Sequence, residues 1–168
     1  MTAGTVMAQA AYQASPRIIV ALGLGAVVDG TIAEGDIGPG PAGSASVSWL
    51  ALLETERRPF ALVGLSLAAS RATAVSDDGE DHTLTAADAR IGAMVGKTFG
   101  VFTPYAAARA FGGPVGWTLA GEEATGSDAH HYTVGAGLTA RPGRRLDLSL
   151  EVMPLGEQSA TAAATLAL

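Results

Sequence analysis

Cysteine is absent, so the chain can build neither a disulfide framework nor a thiolate metal site. Aromatic residues make up only 5% and charged residues 15%. No Lys/Arg run with interleaved aromatics occurs, and the net charge is -6, which excludes nucleic acid as a natural partner. No uninterrupted apolar run reaches the roughly 20 residues of a membrane helix, although 48% of residues are hydrophobic and the mean hydropathy is +0.30. Any contact with lipid must therefore be made by strands. Glycine is plentiful at 22 residues beside many Ala, Ser and Thr, a composition that disfavours long helices and suits the interior of a small barrel.

A length of 168 residues fits one domain and suffices for a closed eight-stranded sheet. Eight segments alternate with period two between clusters of Gly, Pro, Asp or charge: Arg17 to Val28, Ser44 to Leu53, Phe60 to Ala72, Thr85 to Thr98, Val101 to Phe111, His130 to Ala140, Leu146 to Met153 and Ser159 to Leu168. Most are near the length, about 9 to 11 residues, that a tilted strand needs to cross a bilayer. Ile18, Val20, Leu22, Leu24 and Ala26 share one face against Ala21, Gly23 and Gly25. Likewise Ala45, Val47, Trp49, Ala51 and Leu53 oppose Ser44, Ser46 and Ser48, and Leu146, Leu148, Leu150 and Val152 oppose Asp147, Ser149 and Glu151. Alternation alone leaves a soluble sandwich and a membrane barrel both open.

The connections separate them. Glu54 to Pro59, Phe99-Gly100 and Arg141 to Arg145 are tight, whereas Asp29 to Gly43, Thr73 to Leu84 and Gly112 to Ala129 are long, and the two kinds alternate along the chain. Short turns at one end and long loops at the other are the layout of outer-membrane barrels. Charge follows the same division. Asp29, Glu34, Asp36, Asp77, Asp78, Glu80, Asp81, Glu122, Glu123, Asp128 and Glu157 collect at the long-loop end; Arg57, Arg58, Lys97, Arg141, Arg144 and Arg145 collect at the turn end. Residues 1–16 lack the basic start and apolar core of a secretory signal, although Ala8-Gln9-Ala10 has the small-x-small look of a cleavage site. They are read as an N-terminal extension, a remnant of a cleavage region or an ordinary cytosolic start, outside a barrel domain at 17–168.

In strand count and loop alternation the chain resembles the small outer-membrane β-barrel families of Gram-negative bacteria, of the OmpA, OmpX and OmpW kind. The resemblance covers Arg17 to Leu168. It includes the final segment Ser159-Ala160-Thr161-Ala162-Ala163-Ala164-Thr165-Leu166-Ala167-Leu168, placed as these families place their assembly signal, although that signal closes on Phe and this chain on Leu168. Residues Thr103 to Val115 also look like a barrel segment of such a lineage. The resemblance implies an all-β, eight-stranded antiparallel up-and-down transmembrane barrel in the bacterial outer membrane, monomeric, with lipid around it. Interfacial aromatics would then be Phe60, Phe99, Phe102 and Tyr105 near the turns, with Trp117 and Tyr132 near the loops.

The main polar constellation is Asp88, Arg90, Arg109 and Glu151, all on faces assigned to the interior. Charges in a narrow lumen must be paired, so a structural salt-bridge cluster is favoured over a catalytic or proton-relay site. A two-residue turn at Phe99-Gly100 puts Arg90 opposite Arg109, and a turn centred on Gly143 puts Glu151 opposite Gly135, where its carboxylate has room to reach both arginines. A Ser, His and acid hydrolase is weighed on His130, His131, Ser149 and Glu151, but no nucleophile elbow supports it and the two histidines point to opposite faces. Asp77-Asp78-Gly79-Glu80-Asp81 lacks the spacing of an EF-hand and reads as a solvated acidic loop. Gly23/Gly25 and Gly135/Gly137 lie inside strands, where they make room for larger side chains rather than cradling phosphate. No enzyme activity, cofactor or metal is expected. The role expected is structural, or surface interaction with an extracellular partner through the three long loops, in a barrel that is not a wide pore. A lipocalin-like carrier, a lipid-modifying barrel enzyme and a narrow channel are the alternatives.

Overall fold

The computed structural model describes residues 2–32, 35–76, 81–119, 122–127, 131–156 and 158–167. It is all-β. In chain order the strands are β1 (Thr2–Ser15), β2 (Ile18–Ile32), β3 (Gly35–Ile37), β4 (Gly40–Leu52), β5 (Phe60–Ser76), β6 (Asp81–Gly96), β7 (Phe102–Gly112), β8 (Pro114–Leu119), β9 (Glu122–Ser127), β10 (Tyr132–Ala140), β11 (Leu146–Gly156) and β12 (Ser159–Leu166). They pair in one sheet along the path β1-β2-β3-β5-β6-β7-β10-β11-β12. The longer β4 has the same neighbours as the short β3, namely β2 and β5. Pro39, which has no N–H to donate, separates β3 from β4, and Gly38 N–H donates to the Thr73 carbonyl at 2.6 Å just before the break.

Nine strands lie on this path among the described residues, one more than the alternation predicts. The additional strand is β1. The stretch expected as an extension outside the barrel pairs with β2 from Thr2↔Thr31 to Ser15↔Ile18, with shifts after Gly4 and before Ser15. Its own alternation explains this. Val6, Ala8, Ala10 and Tyr12 stand beside Ala26, Leu24, Leu22 and Val20 on the oily face, while Met7, Gln9 and Ala11 stand beside Gly25, Gly23 and Ala21 on the other.

The long connections also differ from expectation, because strand structure runs through most of them. Asp29 to Gly43 contains the end of β2, β3 and the start of β4, and the 112–129 stretch contains the β8–β9 hairpin, paired from Pro114↔Ser127 to Leu119↔Glu122. β8 in turn pairs with β6 at Leu84↔Trp117 through Ala86↔Val115. Most of the acidic loop weighed as a cation site, residues 77–80, lies outside the described residues, as do Glu34, Asp128, His130 and Glu157.

Two compact units divide the chain: 1–47, 65–90 and 112–129 in the first, and 48–64, 91–111 and 130–168 in the second. The first has a small apolar cluster of Val27, Ile37 and Ala72 with Leu84 packed on it. On its other face Leu22 and Leu24 are 68% and 77% exposed. In the second, β7, β10 and β11 alternate between buried or half-buried and exposed positions. Thr103, Tyr105, Ala107, Arg109 and Phe111 turn inward on β7, Thr133, Gly135 and Gly137 on β10, and Ser149, Glu151 and Met153 on β11. The outward residues include Leu138, Leu148, Leu150 and Val152, all exposed.

Candidate functional site

The inner face of the second unit is built on two registers. β10 pairs with β7 at Gly137↔Tyr105 and Thr133↔Arg109, and with β11 at Gly137↔Glu151. Tyr105, Gly137 and Glu151 therefore form one row across three strands. A Cβ on Gly137 would overlap the Tyr105 phenol, so the absence of a side chain there is what lets the ring cross β10. The Tyr105 hydroxyl lies on the Glu151 side of this row. Arg109 Nη2 donates to Glu151 Oε2 at 2.8 Å. Glu151 is thus largely buried, paired with a cation and in the same row as a phenol. Tyr105 carries no charge, so a pairing of charges along the sequence does not include it; its sequence signal is a glycine at the matched position of the next strand.

The other expected members pair locally in the first unit. Arg90 Nε and Asp88 Oδ2 are 2.5 Å apart on the same face of β6. Asp88 Oδ1 is buried and has no hydrogen-bond partner among the described residues. All four charges of the constellation thus engage in ion pairs, Arg109 with Glu151 and Arg90 with Asp88.

Two registers correct the expected ones. The β6–β7 turn is centred on Gly100 and Val101, because Phe99 bridges to Phe102 and Gly100 takes the left-handed φ of +62° that this turn position demands. Arg109 consequently lies against Gly92, with a Cβ on Gly92 3.0 Å from its Cγ, and not opposite Arg90. Glu151 faces Gly137 and not Gly135. Here the bidentate pair of Arg141 with Asp147, at 2.5 and 2.6 Å, closes the β10–β11 turn one residue later than a Gly143 centre, and beyond Glu151 a bulge sets two β11 residues, Met153 and Pro154, against Gly135. The face assignments survive both changes, since each moves the partner by two residues. Gly135 receives Met153 instead, whose Sδ lies 2.7 Å from where a Cβ on that glycine would stand. In the first unit Gly25 and Gly23 receive Met7 in the same way.

At the turn end of the second unit, Glu54 accepts from Thr98 N–H at 2.7 Å and from Thr98 Oγ1 at 2.8 Å, with Lys97 Nζ 3.7 Å away. Those hydrogen bonds, the backbone one foremost, hold its carboxyl below the usual glutamate range. The Asp147 carboxylate, by hydrogen bond and charge, raises Arg141 further above neutrality.

Of the residues weighed for hydrolysis, Ser149 is half-buried two positions from Glu151 on the same face, and His131 is exposed, its carbonyl accepting from Phe111 N–H at 2.9 Å. Among the described residues no three His, Asp or Glu side chains are grouped to hold a metal. Comparison with protein-family models, with curated proteins and with solved structures gives no match for the chain.

Proposed function

We propose that this sheet is the wall of a transmembrane β-barrel of the bacterial outer-membrane type, and that its role is structural or surface interaction rather than catalysis. The observation that carries the reading is reversed polarity. Large apolar side chains crowd the exposed face, among them Leu22, Leu24, Leu65, Leu67, Ile91, Leu148 and Leu150, while the opposite face sets serines, threonines, glycines and ion pairs beside a few buried apolar side chains, Val27, Ile37, Phe111 and Met153. Water around such an outer face would favour aggregation, and lipid would favour insertion. A lipocalin-like carrier needs the opposite arrangement, an apolar interior and a polar exterior.

Strand length supports the same reading. β7 and β11 have 11 residues and β10 has 9, near the bilayer requirement of about 9 to 11. β2, β5 and β6 have 15, 17 and 16, so they extend beyond a bilayer span. The surplus leads toward the long connections, where a partner outside the membrane would meet the protein. In lipid the backbone groups of the terminal strands must also be satisfied, which calls for closure of the barrel.

Purification with and without detergent, followed by electrophoresis of unheated and boiled samples, tests the proposal. A detergent requirement together with a heat-dependent mobility shift is expected. A stable, detergent-free monomer would overturn it.

A further inference from the structure

We propose that the turn end of the second unit is a cationic collar that binds the headgroup phosphates of anionic phospholipids and so fixes the depth of the sheet in the bilayer. This rests on the membrane reading above and adds to it a lipid class and a set of residues. Three turns contribute: residues 53–59 between β4 and β5, 97–101 between β6 and β7, and 141–145 between β10 and β11. They bear Arg57, Arg58, Lys97, Arg141, Arg144 and Arg145, with Glu54, Glu56 and Asp147 as the nearby carboxylates. Internal contacts engage two of the cations and two of the acids, through Lys97 with Glu54 and Arg141 with Asp147. Arg57, Arg58, Arg144 and Arg145 are exposed and have no carboxylate partner among the described residues. Four guanidinium groups thus remain against the single carboxylate of Glu56.

The collar is held in shape by the backbone. Lys97 Nζ donates to the carbonyls of Thr55 and, at 3.0 Å, Glu56, which ties the first turn to the second. Arg141 N–H donates to the Val101 carbonyl at 2.8 Å, which ties the third to the second. Beside these turns Leu52, Leu53, Phe99 and Phe102 are half or more exposed. Apolar and aromatic side chains bordering free arginines match the layered chemistry of a bilayer interface, where rings sit at headgroup level and guanidinium groups meet phosphate through paired N–H donors. A zwitterionic lipid offsets its phosphate with its own cation, so the net attraction to the arginines belongs to the anionic lipid.

Fluorescence quenching tests this on the full chain. The chain has two tryptophans, Trp49 and Trp117, and Trp49 is exposed on the outer face of β4 in this unit. A Trp117→Phe protein is folded into vesicles of equal phosphatidylcholine and phosphatidylglycerol, with one or the other lipid brominated. Phosphatidylglycerol should quench Trp49 about threefold more effectively than phosphatidylcholine, as expected for several arginines near an anionic surface. That preference should disappear in the Arg57→Gln, Arg58→Gln, Arg144→Gln, Arg145→Gln variant. It should also disappear for the unmodified arginines near 1 M salt, where the screening length is about 3 Å, a readout that does not depend on the variant folding. Equal quenching by the two lipids would overturn the collar and leave the membrane reading intact. Quenching by neither would overturn both. Loss of the preference to inorganic phosphate at constant ionic strength would overturn the lipid assignment in favour of a free-anion site.

Discussion

The two units fill their inner faces by different means. In the first, beside the Asp88–Arg90 pair, Val27, Ile37, Ala72 and Leu84 cluster, and Met7 lies over Gly25 and Gly23. The second pairs Glu151 with Arg109 and sets the Tyr105 ring over Gly137, beside buried Thr133, Phe111 and Met153. At Gly25 in the first the neighbour is backbone of the next strand, and at Gly137 in the second it is a side-chain ring. They should therefore fail in different ways.

The largest effect is expected at Gly25. A Cβ there would overlap the Val6 carbonyl oxygen and lie 2.7 Å from Met7 Cα, and neither backbone atom can move without separating β1 from β2. Gly25→Val should cost about 3 kcal/mol or more, the upper range for overpacking, and should abolish the folded band on an unheated gel. Gly137 offers the contrast, since its neighbour is the Tyr105 side chain, which can rotate. Gly137→Ala should cost less than Gly25→Ala, and its cost should shrink in a Tyr105→Ala background when measured by denaturant titration of the four-member cycle. Equal costs at the two glycines, or no coupling to Tyr105, would remove the distinction between the units.

A smaller loss is expected from Glu151→Gln. Removing one partner of a buried pair strands the other, and up to about 3 kcal/mol is anticipated, less because Arg109 keeps some contact with water. Equilibrium unfolding in urea measures it. Unchanged stability with loss of a hydrolytic or transport activity would show that the cluster has a chemical role.

The smallest effect concerns Glu54. Its carboxyl is depressed in the folded chain, so the stabilisation is complete above the ordinary glutamate value and is lost as pH falls through that value and then the folded one. The melting difference between the parent and Glu54→Gln should be constant near neutrality and vanish in acid. A difference that grows on acidification would contradict the assigned contacts with Thr98.

The sequence is informative wherever local alternation decides the outcome. Strand identity and face are legible at Ser44 to Leu53 and at Leu146 to Met153, because a one-residue error would move every oily side chain to the wrong side. Register is not, because single contacts decide it: the left-handed Gly100 and the Arg141–Asp147 clamp each displace a turn centre by about one residue. The strand at residues 2–15 is faint in the sequence because its oily face is largely alanine, Ala8 and Ala10 between Val6 and Tyr12, a weak signal until it is set beside Leu22 and Leu24. The interior cluster is legible as to which residues carry charge. The partner of each, and the part played by Tyr105, depend on cross-strand placement.

The membrane reading rests on which face meets lipid, and the absence of cysteine makes that directly measurable. Single cysteines placed at Leu24, Leu65 and Leu150 on one face, and at Ser46 and Ser149 on the other, can carry nitroxide labels in the vesicle-bound protein. Collision with oxygen, which concentrates in hydrocarbon, should be high at the three leucine sites and low at the two serine sites, and collision with a water-soluble nickel chelate should not reach the leucine sites. Ready access of the nickel chelate to Leu24, Leu65 and Leu150 would contradict a lipid-facing outer surface.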